Sequence, residues 1–314
     1  MQKRTFCAIL RMGAFFLTAC SMFPNLHASE ELFRDVAFTK GFRLSAVDSR
    51  ARPVEVGYVF PDGNKRPDWR LAQWGTNYSL EGAEERVGKN SRIIENAGKL
   101  VELRKDGDDT VLRLYIKAGD DYGGKLRKAG ESWPHLLVEQ SFDIRPKICE
   151  LKNFIVSYEV RISGVQTVYE GVLDNSLHAA QLVMFFTLQD VNTGDYIWFG
   201  LPIYDSRFDF PHEHRAADAG KDDATSKYIY SVGGRRLWRS KIRMDEWEKF
   251  DMDVLPLMKE ALKDAFKKGW LKDSDLKNIA ISSMNTGWEM PGPFNASAEY
   301  KNLSARYEKT SSQK

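Results

Sequence analysis

From about residue 98 onward, apolar residues fall on every second position in short bursts, and each burst stops at a cluster of turn formers. Lys99–Glu102, Thr110–Ala118 (TVLRLYIKA), Ile155–Ile162 (IVSYEVRI) and Ala298–Tyr307 (AEYKNLSARY) alternate in this way, and KDGDD, AGDDYGG and VNTGD are among the breaks. A period of two sends successive side chains to opposite faces of a strand, so each burst buries one face and wets the other. Gly, Asp and Asn end strands because they accept the backbone angles of tight turns. His135–Phe142 (HLLVEQSF), Gln181–Leu188 (QLVMFFTL) and Tyr196–Tyr204 (YIWFGLPIY) are more continuously apolar, as central strands packed on both faces are. Many short strands of this kind predict an all-β chain, a sandwich or jelly roll.

One segment breaks the period of two. Pro256 suits a first helical turn, and Leu257, Met258, Ala261, Leu262, Ala265 and Phe266 recur at helical spacing before Gly269. This predicts one α-helix over about 256–268, packed on the outside of a sheet. Residues 30–97 are less regular, with Pro53, Pro61 and Pro67 interrupting short strands. His212–Lys227 is the one long polar stretch late in the chain and predicts an exposed loop or lid. No internal repeat or low-complexity linker divides residues 29–314, so a single domain is expected.

The first residues are of another kind. MQKRTFCAILR is cationic, Met12 to Ala19 is apolar, and polar sequence begins at Ser29-Glu30-Glu31. This predicts a secretory signal over residues 1–28. Leu17-Thr18-Ala19-Cys20 resembles a bacterial lipobox, in which Cys20 would carry a lipid anchor; Leu26-His27-Ala28 is the alternative cleavage site. Either one predicts an extracytoplasmic protein: periplasmic, secreted, or lipid-anchored at the cell surface. No later run reaches the roughly 20 apolar residues of a membrane span. Without Lys3, Arg4 and Arg11 the formal charge of +2 becomes −1, which gives no electrostatic case for nucleic acid. Only Cys149 follows the leader, so no internal disulfide forms, and a buried small hydrophobe is expected there.

The chain has no phosphate loop, dinucleotide fingerprint, HExxH or GxSxG. His212 and His214 would share a face in an extended segment, but no third metal ligand accompanies them. Aromatic residues are the stronger theme. Trp74 precedes Gly75, Trp133 precedes Pro134, and Trp198 sits in an apolar strand. Each suits either the core or a flat platform for the apolar face of a sugar ring. Polar groups inside apolar strands are the second theme: Glu139, Glu159 and Gln181, with Glu289 directly after Trp288. A buried carboxylate is costly unless paired, and glycoside hydrolysis uses two carboxyl groups facing each other across the bond.

The order of these pieces resembles glycoside hydrolase family 12 over the C-terminal two-fifths to one half. Val156-Ser157-Tyr158-Glu159-Val160 is similar to that family's strand with Tyr-Asp. Gln181-Leu182-Val183-Met184-Phe185 is similar to its strand with Glu-Leu-Met-Ile-Trp. The 256–268 helix and Gly287-Trp288-Glu289 follow in the family's order. The resemblance implies a concanavalin-like jelly roll and a cleft for β-glucans, cleaved with retention. It places Glu289 at the acid/base position, Glu159 at that of the supporting Asp, and Gln181 where the nucleophilic Glu would be. An amide cannot serve as that nucleophile.

Three readings follow. One is a carbohydrate-binding protein for a polysaccharide or oligosaccharide, with Trp74, Trp133, His135, Glu139, Gln181, Trp198 and Asp205 as its contact residues. Another is a glycan-cleaving enzyme with Glu289 as general acid and Glu139, Glu159 or Asp205 as second group; a lyase using His135 or a Tyr as base is a variant of it. The third is a structural exported protein. No cofactor is expected; a structural Ca²⁺ is compatible with such a sandwich, though no loop is diagnostic for one. If the resemblance holds, Glu289 faces the cleft and Trp288 packs behind it.

Overall fold

The computed structural model describes residues 29–48 and 53–310. The leader, with both cleavage sites and Cys20, lies outside the described residues. Two sheets carry the chain. The back sheet has eight strands, in the order β15 (Glu248–Asp253), β10 (Leu151–Thr167), β17 (Phe294–Lys309), β8 (Asp109–Lys117), β7 (Lys99–Asp106), β6 (Ser91–Glu95) and β5 (Glu85–Val87), with β1 (Glu30–Glu31) also paired to β17. The front sheet has nine, in the order β13 (His214–Ala217), β14 (Tyr228–Ser231), β12 (Tyr196–Asp205), β11 (Gln181–Asp190), β16 (Ile279–Glu289), β9 (His135–Ser141), β4 (Trp69–Ala72), β2 (Phe42–Ser45) and β3 (Glu55–Val59). Pairing is antiparallel except for β12 with β14 and β2 with β4. The fold is a jelly-roll β-sandwich.

Alternation sets the faces. In β10, Tyr158, Val160 and Ile162 are buried while their neighbours are partly exposed; in β11, Leu182, Met184, Phe186 and Leu188 join the same core cluster. The core therefore lies between the sheets. Trp288 of β16 is fully buried in it, and its indole Nε1 donates to the Leu114 carbonyl of β8 at 3.1 Å. Glu289, the next residue, must then point away from the core, onto the outer face of the front sheet. Gly287 explains why the strand can run so close to β9. Its φ is +145°, and a Cβ there would run into the Leu136 carbonyl oxygen.

The helix spans Leu255–Lys267, close to expectation, but its position differs. It contacts β10 of the back sheet and β12 and β14 of the front sheet, and Met258, Ala261, Leu262 and Ala265 belong to the common core. Tyr228 and Tyr230 of β14, which face inward, donate their hydroxyls to Asp264 and Glu260 of the helix. It fills the space between the layers and does not lie outside either one. Cys149 also departs from expectation: it sits on a 3₁₀ turn, Ile148–Glu150, and is exposed. The short turn keeps Ile148 in the core and rotates the next side chain outward.

Candidate functional site

The strands β9, β16, β11 and β12 are neighbours, and their register builds a polar row. Glu289 pairs with His135 on one side and Gln181 on the other, and Gln181 pairs in turn with Asp205. Their sequence neighbours Leu136, Trp288 and Leu182 are core residues, so His135, Glu289 and Gln181 project from the outer face, and a register shift in β12 brings Asp205 out beside them, against the Gln181 amide. Further along the same face, Glu139 pairs with Asn285 and Asn285 with Phe185. Beyond them lie Ser141, Ser283, Thr187 and Trp198. Six of the candidate residues thus share one surface: His135, Glu139, Gln181, Trp198, Asp205 and Glu289.

Each carboxylate there has its own surroundings. Asp205 is 4% exposed and is gripped by Arg207, whose Nε and Nη2 donate to its two oxygens at 2.8 and 2.6 Å. Gln181 Nε2 donates to the same carboxylate at 2.9 Å. Glu139 is buried against Arg70, with which it makes an ion pair. Burial pushes its pKa up, and Arg70 and Arg43 oppose that shift. Glu289 is different. Its Oε2 accepts from Trp133 Nε1 at 3.3 Å and lies 3.8 Å from His135 Nε2. Burial, with Lys221 nearby, lowers the His135 pKa to about 4, so the imidazole is neutral at pH 7 and does not neutralise Glu289.

The tryptophans at this end are engaged within the chain. Trp133 stacks on His135 with centroids 5.9 Å apart, and Arg127 and Lys221 sit 5.0 and 4.3 Å from its ring centroid. Trp74 meets His135 edge-on at 6.1 Å. Gly75 allows this approach, because at its φ of +64° a Cβ would strike the Trp133 carbonyl oxygen. Trp133 is thus packed against chain groups while remaining partly exposed. Trp198 is only partly buried, with Tyr196 at 5.3 Å and Phe185 at 6.2 Å, and its Nε1 donates to Thr225 Oγ1 at 3.2 Å.

A strap crosses the face. Thr225 holds Trp198 on β12, while Asp223 accepts from Ser132 Oγ at 3.1 Å just ahead of β9. Gly130 and Lys221 form a β-bridge at the same place. Since β11 and β16 lie between β12 and β9, the segment Lys221–Thr225 passes over them. The polar stretch expected to be a loop or lid is this strap, together with strand β13.

Glu159 does not join the site. It lies on β10 of the back sheet, between the inward Tyr158 and Val160, and so points outward on the opposite side of the sandwich. There it accepts from Asn302 Nδ2 at 3.0 Å and faces Lys301 Nζ at 3.6 Å. The whole core separates it from Glu289, so it cannot support chemistry there. Among the described residues, no group of three or more His, Cys, Asp or Glu gathers as a metal site would. His212 instead stacks on Phe208 at 3.7 Å.

Sequence reasoning missed the cations. Arg70 and Arg207 could have been found, since alternation places Arg70 on the outer face and Asp205-x-Arg207 is a short-range pair. Arg127 and Lys221 lie in loops, where no periodicity assigns a direction.

No protein-family model matches the sequence, and no curated protein matches it. Solved structures do match in shape. The endoglucanase Cel12A from Rhodothermus marinus is 10% identical, with a TM-score of 0.37, over 73% of this chain and 97% of that one. The xyloglucanase domain of NopAA, a type three effector from Sinorhizobium fredii, in complex with cellobiose, is 10% identical, with a TM-score of 0.38, over 74% and 100%. The family 12 xyloglucanase from Bacillus licheniformis is 10% identical, with a TM-score of 0.39, over 72% and 97%. The likeness to family 12 glycoside hydrolases is distant, and it says nothing of what this chain does.

Proposed function

We propose that the outer face of the front sheet binds a saccharide without cleaving it. The observation that carries this reading is the state of the carboxylates on that face. Asp205 is held by Arg207 and Glu139 by Arg70, which leaves Glu289 as the carboxylate there that has no cationic partner among the described residues. Hydrolysis needs two working carboxyl groups, and the position between Glu289 and Asp205 is the amide of Gln181. An amide is well suited to hydrogen-bonding sugar hydroxyls through both its oxygen and its nitrogen.

The cleaving alternative has one observation in its favour. Glu289 and Asp205 stand two strands apart, about 10 Å, close to the separation of an inverting pair. The bidentate grip of Arg207 on Asp205 weighs against it. The leader supports an extracytoplasmic location, with a lipid anchor if Cys20 is the cleavage site.

Calorimetric titration of residues 29–314 with β-glucan and xyloglucan oligosaccharides tests the binding reading. We expect saturable binding that Gln181→Ala weakens by about tenfold, the worth of one or two buried hydrogen bonds. Absence of binding to every saccharide would favour a structural role.

A further inference from the structure

The far end of the same face carries a feature that the polar row does not use. A cavity of about 240 Å³ opens there, lined by Ser141, Arg145, Thr187, Gln189, Tyr196 and Trp198, with Ser282 and Ser283 beneath. That is below the usual volume of a drug-sized pocket and enough for one sugar ring. Its aromatic wall is fixed. Trp198 stands perpendicular to Tyr196 and is tied by its Nε1 to Thr225. Its hydroxyls are ordered too, since Ser283 Oγ donates to Thr187 Oγ1 at 2.7 Å.

Its charge is unbalanced. No acidic side chain lines the cavity, and Arg145 is its one cation. Arg145 Nε donates to the Phe142 carbonyl at 3.2 Å, which orients the guanidinium. Among the described residues no carboxylate pairs with it. Arg70 and Arg207 on the same face provide the contrast, because each is matched by a buried carboxylate. A guanidinium held by one edge keeps its other edge for a planar or tetrahedral anion, and it pairs with such groups in a fork.

We propose that this cavity receives an anionic sugar unit, a hexuronate or a sulfated sugar, with its anionic group on Arg145 and its ring against Trp198. The proposal rests on the saccharide-binding reading and names the class of unit at this end of the face. Ser141, Thr187 and Gln189 supply hydrogen bonds to hydroxyls of the same unit.

The test uses residues 29–314 and three trisaccharide probes of equal length: an all-uronate form, its carboxyl-reduced neutral form, and a sulfated neutral form. We expect one of the anionic probes to bind at least about tenfold more tightly than the neutral one. That preference should fall with added salt. Arg145→Gln should abolish it, and Arg145→Lys should retain part of it. Whichever anionic probe gains identifies the anion as carboxylate or sulfate. Arg145 is exposed, so both variants should melt as the wild type does. Equal binding of all three probes, unchanged in Arg145→Gln, would overturn the anionic site and leave the saccharide reading standing. Failure of all three to bind would overturn the anionic site, and the saccharide reading would fall with it only if β-glucan and xyloglucan oligosaccharides also fail to bind.

Discussion

His135 carries a pH signature that its position dictates. It is 3% exposed, and burial holds its pKa at about 4 against an ordinary 6.5. Between these values the unfolded chain binds a proton that the folded chain refuses. The stability is therefore present above pH 6.5 and lost as pH falls through about 4, at up to about 1.4 kcal/mol per pH unit. Urea unfolding at several pH values should show a shallower decline over this window for His135→Gln than for wild type; parallel slopes would mean that the imidazole is solvated. At this scale the sequence was most informative about direction. Once the strands are placed, a period of two accounts for His135, Glu139 and Gln181 sharing a face, but Asp205 joins them only through a register shift in β12 that no sequence pattern announces. Alternation cannot say what meets them there, so the arginines that neutralise Glu139 and Asp205 were invisible, and so was the packing against Trp133.

Two elements owe their placement to single residues. Gly287 lets β16 pass against β9 at a φ open to glycine, and Gly287→Ala adds both backbone strain and a collision with the Leu136 carbonyl. A loss of about 3 kcal/mol in chemical denaturation is expected, and a loss below about 0.5 would mean that the strand relaxes freely. Lys99 opens β7 with its ammonium buried, where it donates to Thr76 Oγ1 at 3.1 Å and to the Tyr78 carbonyl. Thr76 in turn donates to Asp121, so this group ties the 76–78 loop to the short helix at Ala118–Asp121. Burial lowers the Lys99 pKa from 10.5 to about 8. Between those values the unfolded chain keeps a proton that the folded chain has released, so the burial penalty shrinks as pH rises. Wild type should gain stability relative to Lys99→Met from pH 8 towards 10, and a constant difference would contradict the assignment. Strand existence was legible from alternation, and so was the extent of the helix. Its seat between the sheets was not, because an amphipathic stripe says that one side is buried without saying against what. The resemblance that put Glu159 at a supporting position failed for a related reason. Alternation gives a residue's face within its own strand, and only the order of strands tells which sheet that face belongs to.

For the whole molecule, the sandwich separates two outer surfaces by a common core, and the candidate site belongs to the front one alone. There the chain offers a row of hydrogen-bonding groups, one carboxylate with no cationic partner among the described residues, and an amide between it and Asp205. The central claim is that this arrangement binds and does not hydrolyse. Its most direct test is a mass-spectrometric product screen of residues 29–314 with β-glucans, xyloglucan and acidic polysaccharides, run beside Glu289→Gln with saccharide binding measured on the same samples. We predict saccharide binding with no new oligosaccharides from either protein. New oligosaccharides from wild type that disappear in Glu289→Gln would contradict the claim and make Glu289 the acid of an enzyme.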